Sequence, residues 1–374
     1  MDPWWIGLIG SDPCQWIMES DEPAAKWIIL KHVLGRPDDD PGVRQARAGV
    51  LDSAPVRELI ASLPDWEEDA QASGHNSMRF IPNMLNLLAD MGVGAGDDPG
   101  IESILDKMLL HQAENGRFQA FGRIARAGDS GPSWGSLLCD THAIIEVLIR
   151  FGRASDPRVI AGITRMGEDV ASTRQGTAWP CVPHSSNGFR GPGRKDDFCP
   201  QVTLEALRAY SRLPEGLRPG TLLDAARACA RAWLNRSTER PYMFGHGYRF
   251  KTVKWPPFWY DVCWVLDTLG RYPDLWQGDR SSAADRRAVA EMTACMIAYN
   301  FGPGGLVTPR SCYLGFPGFS FGQKKRPSPF ATARLISILH RFHGLEEDIA
   351  SVDVPSLGSS KGGSGVARPP RHAP

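Results

Sequence analysis

The sequence lacks any excess of charge of one sign. Its 374 residues include 42 Lys and Arg and 42 Asp and Glu, so the formal net charge is zero. Nucleic acids and anionic membrane surfaces attract proteins that present a strongly basic face. We therefore expect no nucleic-acid partner.

Cysteines and long apolar runs are also scarce. Eight cysteines are too few for a disulfide scaffold in a chain of this length, so reduced thiols are expected. The apolar segment 1–10 is short, contains Pro3 and has no basic residue, which argues against a secretory signal or a transmembrane segment. A cytoplasmic location is expected by default. Trp4 and Trp5 leave open a role of this segment in docking a partner.

What the sequence does contain is a pattern that recurs about every 60 residues, a period typical of stacked helical pairs. In each repeat a loop with Gly, Pro and aromatic residues ends in a polar cluster, which opens a strongly apolar helix. The fold class predicted is all-α, an (α/α) toroid or barrel of alternating inner and outer helices with an N-terminal helical cap. Inner helices are predicted over 80–91, 143–151, 202–210, 264–269 and 330–342, and outer helices over 98–112, 159–170, 222–234 and 288–298.

Three regions follow from this pattern. Residues 1–65 are predicted to form the cap, with helices over 24–34, 41–52 and 54–63. Residues 66–350 are predicted to form the toroid. Residues 351–374 are rich in Gly, Ser and Pro with little to bury, so a disordered tail is expected.

Four segments match a known repeat. Residues 112–118, QAENGRF, follow the pattern Q-x-x-x-G-x-[FW] at the end of an outer helix, and residues 176–181, 260–264 and 325–332 fit the same helical arrangement. Together they resemble the superfamily of terpenoid cyclases and protein prenyltransferases, which includes squalene-hopene cyclases. The resemblance covers roughly residues 73–342 and implies an alpha-alpha toroid with a hydrophobic cavity.

Three signature motifs of that superfamily are missing or incomplete. The D-x-D-D tetrad of class II cyclases does not occur, and Asp196-Asp197 is its nearest approach. Residues 38–42 lack the last carboxylate of D-D-x-x-D, which holds magnesium on a diphosphate in ionising synthases. Asp261 and Cys263 match two zinc ligands of the prenyltransferases, but Ala331 stands where the third would be. The resemblance therefore implies a divergent member.

Polar residues at the starts of inner helices are the predicted catalytic groups, because these helix starts converge at one end of such a barrel. Asp140 and His142 fit a base and its orienting partner. Asp197 and Asp261 have aromatic neighbours in sequence, so desolvation is expected to raise their pKa values and make them acids. The alternative for Asp140 is a simple helix cap.

Three cysteines form a second candidate site. Cys139 and Cys199 open successive inner helices, and Cys181 lies in the loop between them, close in sequence to His184. Three thiolates and one imidazole would make a tetrahedral zinc site, and zinc is the cofactor the sequence suggests. A second hypothesis makes Cys139 or Cys199 a nucleophile activated by His142 or His184. A third treats these cysteines as small buried apolar residues.

Aromatic and basic residues beside the loops are the predicted substrate-binding groups. Aromatic faces stabilise a carbocation or hold an apolar ligand, and core packing accounts for them equally well. Lys254 lies in a basic stretch with Arg249 and Lys251 that suits a phosphate or carboxylate. The predicted set is His75, Asn76, Trp134, Trp179, Lys254, Trp259, Tyr260 and Trp264.

Three functions remain open from the sequence. The first is a terpenoid-cyclase-like enzyme that performs acid/base cyclisation, isomerisation or addition-elimination on a hydrophobic small molecule, for which the resemblance suggests an isoprenoid or polyene. The second is a zinc-dependent enzyme that uses the cysteines. The third is a non-catalytic toroid that carries a lipid or a peptide, and the missing signature motifs favour it.

Overall fold

A computed structural model describes residues 3–67, 77–122, 132–183, 190–191, 193–241, 244–245 and 247–358. The described chain is mostly helical, which confirms the all-α prediction in its coarse form. Closure of the helices into a toroid stays a prediction. None of the described helices is both long and apolar enough to span a membrane.

The helices keep the order that the repeat pattern predicts. In the N-terminal third, a π-helical turn, Ile29–Val33, directly follows the helix Pro23–Ile28. The helices are α1 (Ile6–Ile9), α2 (Cys14–Glu19), α3 (Pro23–Ile28), α4 (Pro41–Asp52), α5 (Ala54–Ala61), α6 (Ile81–Asp90), α7 (Pro99–Leu110), α8 (Leu138–Arg150), α9 (Pro157–Glu168), α10 (Pro200–Ser211), α11 (Leu222–Leu234), α12 (Tyr248–Lys251), α13 (Val262–Leu269), α14 (Ala283–Asn300), α15 (Pro329–Leu339) and α16 (Glu346–Ala350).

The strands are short and occur in pairs within the loops. Two pairs are antiparallel and one is parallel, and none of the three sheets has a third strand among the described residues. The antiparallel pairs are β1 (Ala120–Gly122) with β2 (Ser133–Gly135) and β3 (Ala171–Thr173) with β4 (Gly176–Ala178), and the parallel pair is β5 (Lys254–Trp255) with β6 (Ser311–Cys312).

The chain divides into two compact units. The first consists of residues 1–46 and 229–374, and the second of residues 47–228. Helices α1 to α3 fall in the same unit as the C-terminal part of the chain, and the boundaries at residues 65 and 350 stay a prediction.

The predicted tail begins with ordered structure. Residues Val354–Gly358 form a 3-10 helix. The carbonyl oxygen of Leu357 accepts hydrogen bonds from Arg236 Nη2 and Lys251 Nζ, both at 3.4 Å. Ordered chain therefore continues beyond residue 350, because these two side chains hold the helix. Residues 359–374 lie outside the described part.

In the second unit, burial alternates from one helix to the next. Nearly every residue of α6, α8 and α10 is buried, whereas α7 and α9 bury one face each. Helix α8 packs against α6, α9 and α10. An amphipathic helix buries only its apolar stripe, so α7 and α9 have the burial of amphipathic helices, and the assignment of inner and outer helices of a toroid stays a prediction.

In the first unit, α13 and α15 are the most completely buried helices. Helix α15 packs against α2, α3 and α13, and α13 also packs against α14. Near the N-terminus, Trp5 is buried and its ring lies edge-on to that of His340, with centroids 5.5 Å apart. Trp5 is thus a packing residue of this unit, and a partner-docking role of the N-terminal segment stays a prediction.

The turn after α7 contains the glutamine, glycine and aromatic residue of the pattern in residues 112–118. Gln112 Nε2 donates to the carbonyl oxygens of Gly116 and Arg158, both at 2.8 Å, and Phe118 is fully buried. Gly116 has φ 84°, a left-handed conformation that favours glycine. The glutamine therefore fastens the turn to the start of α9, and the aromatic residue anchors it in the core.

We expect Gly116→Ala to destabilise the protein by about 2 kcal/mol, because a Cβ costs energy at positive φ and is crowded here. An ideal Cβ at this position lies 3.2 Å from the Ala161 carbonyl oxygen. Gly152 is the matched control, since it has the same φ of 84° and nothing within 4 Å of its Cβ position. Chemical denaturation should show a larger loss for Gly116→Ala than for Gly152→Ala, and equal losses would contradict the crowding argument.

Candidate functional site

The predicted site residues fall into both units. The second unit holds Cys139, Asp140, His142, Cys181, Asp197 and Cys199, together with Trp134 and Trp179. The first unit holds Lys254, Trp259, Tyr260, Asp261 and Trp264. His75, Asn76 and His184 lie outside the described residues.

Asp261 is the N-cap of α13. Its backbone is extended, with φ −83° and ψ 179°, and its Oδ1 accepts a hydrogen bond from the Trp264 N–H at 3.0 Å. The N–H groups of Cys263 and Lys254 also donate to the carboxylate. The side chain is half-buried. Burial outweighs these three donors and raises the pKa of Asp261 from 3.8 to about 7.

Aromatic rings crowd the loop that precedes α13. Tyr260 and Trp264 are buried, Trp259 is half-buried, and the rings of Trp259 and Tyr260 lie 5.5 Å apart. Across the β5–β6 pair, the ring of Tyr313 lies 4.8 Å from that of Phe258. Burial and the nearby charge of Asp261 both raise the pKa of Tyr313. Tyr313 therefore lies near the Asp261 carboxyl, and Trp259, Tyr260 and Trp264 lie close to Asp261 in the chain.

A group of cations lies next to these rings. Lys254 Nζ is 3.7 Å from the centroid of the Tyr313 ring. Burial, with the charges of Arg249 and Lys324, lowers the pKa of Lys254, so each of these two cations lies close enough to repel Lys254. Arg310 donates to the Tyr248 hydroxyl beside Arg249. Within the described part of the chain, Arg249, Lys254 and Lys324 form no ion pair with a carboxylate.

His142 does not pair with Asp140 as the base-and-orienter hypothesis requires. Its Nδ1 lies 3.0 Å from the Val202 carbonyl oxygen, and its ring lies edge-on to Trp179. Among the described residues Nε2 has no hydrogen-bond partner. Burial lowers the pKa of His142 to about 4, so the ring is neutral at neutral pH. The neighbouring turn of α10 supplies the partner because α8 and α10 pack side by side.

Asp197 lies in a different environment from Asp261. Its Oδ1 accepts from Gln175 Nε2 and forms an ion pair with Arg174 Nη2, both at 3.1 Å. The Phe198 N–H donates to Gln175 Oε1. These contacts join the segment before α10 to the β3–β4 turn. Asp197 thus has a structural contact, and its role as an acid stays a prediction.

The thiols of Cys181 and Cys199 are hydrogen-bonded to each other, and both residues are half-buried. Cys139 is buried, and its sulfur lies 3.9 Å from Asp140 Oδ1. In the part of the chain that is described, no three His, Cys, Asp or Glu side chains are arranged to hold a metal ion. Because His184 is outside that part, the four-ligand zinc site stays a prediction.

Glu205 is a buried carboxyl group that the sequence interpretation missed. Gln201 Nε2 donates to its Oε1 at 2.6 Å, and burial raises its pKa well above 4.5. Oε2 of Glu205 and Oε1 of Gln201 have no partner among the described residues. The sequence feature that could have identified this residue is a single glutamate inside the apolar run of α10, because charged residues are almost never fully buried unless they are paired.

The two predicted tryptophans of the second unit have local partners. Trp134 stacks on His111, with ring centroids 3.5 Å apart and planes at 9°. Trp179 is fully buried, and its indole N–H donates to the Met166 carbonyl oxygen at 2.7 Å. Trp179 is thus in the environment of a core residue, and a substrate-binding role for either ring stays a prediction.

The sequence matches no protein-family model and no curated protein sequence. Among solved structures, this chain is similar to two variants of the type II terpene cyclase MstE from Scytonema, each in complex with its substrate geranylgeranyl dihydroxybenzoate. One comparison has a TM-score of 0.40 at 14% identity and the other 0.39 at 13%. Both cover 88% of this chain and 88% of the other.

Proposed function

We propose that this chain is an enzyme that protonates a carbon–carbon double bond of an isoprenoid or polyene and so starts its cyclisation or isomerisation. Asp261 is the proposed acid. The observation that carries the proposal is its carboxyl group, whose pKa burial raises to about 7. A general acid works best when its pKa lies near the working pH, because it is then both protonated and strong enough to donate.

The surroundings of Asp261 support the same chemistry. Protonation of an alkene creates a carbocation, and aromatic faces stabilise a cation through their ring quadrupoles. Phe258, Trp259 and Tyr313 lie in the loop and strand beside the acid. Asp261 is half-buried, whereas Asp197 and Glu205 are buried.

Other carboxyl groups fit the role of acid less well. Asp197 is buried and paired with Arg174. Glu205 is buried on all sides within α10, with 2% of its surface exposed, and its pKa lies well above the ordinary value. A group that a substrate cannot reach does not protonate it, so Asp261 is the better candidate.

The cation group suggests one further property of the substrate. Arg249 and Lys324 repel Lys254, and none of the three has a carboxylate partner among the described residues. A bound anion would relieve this repulsion and form charge-assisted hydrogen bonds. The proposed substrate therefore has an anionic head group at Lys254 and an apolar chain on the aromatic rings.

Solvent deuterium tests the proposal directly. The purified protein is incubated in D₂O with geranylgeraniol and with geranylgeranyl phosphate, and the products are analysed by mass spectrometry. Protonation by Asp261 should leave one deuterium on a carbon of the product, since the carboxyl proton exchanges with solvent before each turnover. The phosphate ester should have the lower KM, because its head group meets the cations.

Two variants make the test specific. Asp261→Asn should form the deuterated product at least about a hundredfold more slowly. Asp98→Asn is the control, because Asp98 also caps a helix, with its Oδ1 2.7 Å from the Gly100 N–H. It should behave as the parent protein. Recovery of both probes unchanged from the folded parent protein would contradict the proposal and favour a carrier protein.

A further inference from the structure

Two segments of the first unit contain basic residues and no acidic ones. They are residues 240–260 and 301–345, and neither includes an Asp or a Glu. The parallel pair of β5 and β6 joins the two segments, with Lys254 opposite Ser311. The chain as a whole has zero net charge. These segments therefore concentrate a positive charge that the overall composition does not show.

Contacts around β6 bring cations of the two segments close together. Lys254 Nζ lies 3.7 Å from the centroid of the Tyr313 ring. One residue earlier in the chain, the Cys312 thiol donates to the Gly322 carbonyl oxygen at 3.6 Å. Lys324 follows two residues after this glycine, and its charge contributes to the lowered pKa of Lys254. The segment that carries Lys324 therefore starts beside β6.

A glutamine side chain fixes the turn that carries the next two cations. Gln323 Oε1 accepts from the N–H groups of Lys325 and Arg326 at 2.7 and 2.9 Å, and its Nε2 donates to the Arg326 carbonyl oxygen at 2.8 Å. These bonds involve only the backbone of the two basic residues, and both residues are exposed.

Six exposed cations of these segments form what is called here the basic surface. None of them has an ion pair with a carboxylate in the part of the chain that the structure describes. They are Arg249, Lys254, Arg310, Lys324, Lys325 and Arg326. Exposed cations without carboxylate partners attract an anionic surface.

An apolar side chain lies next to these cations. Leu314 follows Tyr313, the residue whose ring Lys254 contacts, and it is 98% exposed. The next most exposed large apolar residue in the described part of the chain is Leu110, at 68%. Leu314 is therefore the apolar side chain that gains most from a partner that covers it.

We propose that the basic surface docks on an anionic lipid bilayer, with its cations against acidic head groups and Leu314 inserted at the boundary of the acyl chains. Clusters of Lys and Arg bind acidic lipids, and an apolar side chain beside them adds burial in the membrane interface. A nucleic acid or an acidic peptide also attracts cations. A bilayer, however, supplies both an anionic surface and an apolar layer for Leu314.

This docking does not depend on the proposed function. Arg249, Lys254 and Lys324 are the cations to which that function assigns the head group of the substrate. Lys325, Arg326 and Leu314 lie outside that group, so they are the residues to test.

Vesicle flotation of the full-length protein tests the docking. The purified chain is mixed with vesicles of phosphatidylcholine alone, or of phosphatidylcholine and phosphatidylglycerol in equal parts. It should float only with the mixed vesicles, and the bound fraction should fall as salt is added, because salt screens exposed charges. Equal binding to both kinds of vesicle, or binding to neither, would overturn the proposal.

Variants assign the binding to this surface. Lys325→Gln with Arg326→Gln should weaken binding to the mixed vesicles about twentyfold, since each basic residue near an anionic membrane contributes about fivefold. Leu314→Ser should weaken it at least about tenfold. Arg44→Gln with Arg57→Gln is the control, because it removes two exposed cations elsewhere in the chain. It should bind as the parent does, and an equal loss in this control would contradict the assignment.

Two soluble polyanions test the other partners. Poly-glutamate and a DNA duplex are titrated against the parent protein and Leu314→Ser at the same salt concentration. Both should bind more weakly than the mixed vesicles. Tighter binding of either one, with no effect of Leu314→Ser, would overturn the bilayer as the partner. Circular dichroism should show the parent fold in every variant, so that a loss of binding reports the surface itself.

Discussion

Replacement of Asp261 by Asn is expected to lower kcat by a factor of about 10² to 10⁴, the usual contribution of a general acid. Asparagine retains a side-chain oxygen that can accept from the Trp264 N–H, so α13 keeps its cap. It has no proton of useful acidity to donate. The loss should therefore appear in kcat, while circular dichroism and KM stay close to those of the parent protein.

The pH dependence of the parent enzyme follows from the same carboxyl group. Burial raises the pKa of Asp261 to about 7. An acid must be protonated to donate, so kcat should be high below this pH and fall tenfold for each unit above it. An Asp261→Asn variant with residual activity should not show this fall. A flat profile in the parent protein would exclude Asp261 as the acid.

Stability should change with pH in the same direction as activity. A carboxyl group whose folded pKa is raised stabilises the fold at low pH, and this contribution is lost as the pH rises from the unfolded value through about 7. Above that pH the folded protein holds a half-buried carboxylate. We therefore expect Asp261→Asn to be at least as stable as the parent protein at pH 8. If Asp261 were only a structural cap residue, the variant would be less stable than the parent.

The sequence was most informative where a helix begins with a visible cap. Helices α4 and α11 have the predicted bounds, 41–52 and 222–234. Asp40 precedes α4 and accepts from the Gly42 N–H at 2.8 Å, a local contact that the sequence shows directly. Apolar spacing and chain breakers were sufficient there, because both are local properties.

Helices with a polar first turn were harder to delimit. Helix α14 begins at Ala283, although its apolar spacing predicted a start at 288, because the Ser282 hydroxyl caps the Asp285 N–H at 3.1 Å. Helix α8 begins at Leu138, so the cluster 139–142 lies inside the helix and is buried instead of preceding it. Apolar periodicity marks the buried stretch of a helix and not its capped ends.

The candidate site shows the same limit. Asp261 could be selected from the sequence because a cap, an apolar helix and aromatic neighbours adjoin one another. The proximity of Lys324 to Lys254 could not, because it depends on packing between segments about 70 residues apart. For the same reason the sequence paired His142 with Asp140, whereas its partner, the Val202 carbonyl, belongs to another helix.

A buried ion pair between α8 and α10 carries the largest expected effect on stability. Glu146 and Arg208 have no exposed side-chain surface, and Arg208 Nε lies 3.0 Å and 3.1 Å from the two carboxylate oxygens. Arg212 Nη2 lies 3.3 Å from Oε1. Burial alone would raise the pKa of Glu146, but Arg208, Arg212 and Arg150 outweigh it and lower the pKa.

Replacement of Arg208 by Leu should lower the free energy of unfolding by about 3 to 5 kcal/mol, because it leaves a charged carboxylate buried without its main partner. The exposed pair of Arg280 and Asp274, 3.0 Å apart, is the control. Asp274→Asn should cost at most about 1 kcal/mol, since solvent screens that pair. Urea denaturation at neutral pH measures both changes.

The double variant Glu146→Leu with Arg208→Leu separates the two sources of this loss. Removing both charges also removes the unpaired carboxylate, so the double variant should be more stable than Arg208→Leu alone. Because the folded pKa of Glu146 is depressed, the stabilisation by the pair is present above its unfolded pKa of about 4.5 and is lost as the pH falls through the folded value. The difference between the parent protein and Glu146→Gln should therefore shrink in acid, and a difference that stays constant down to pH 2 would show that packing, not charge, stabilises this contact.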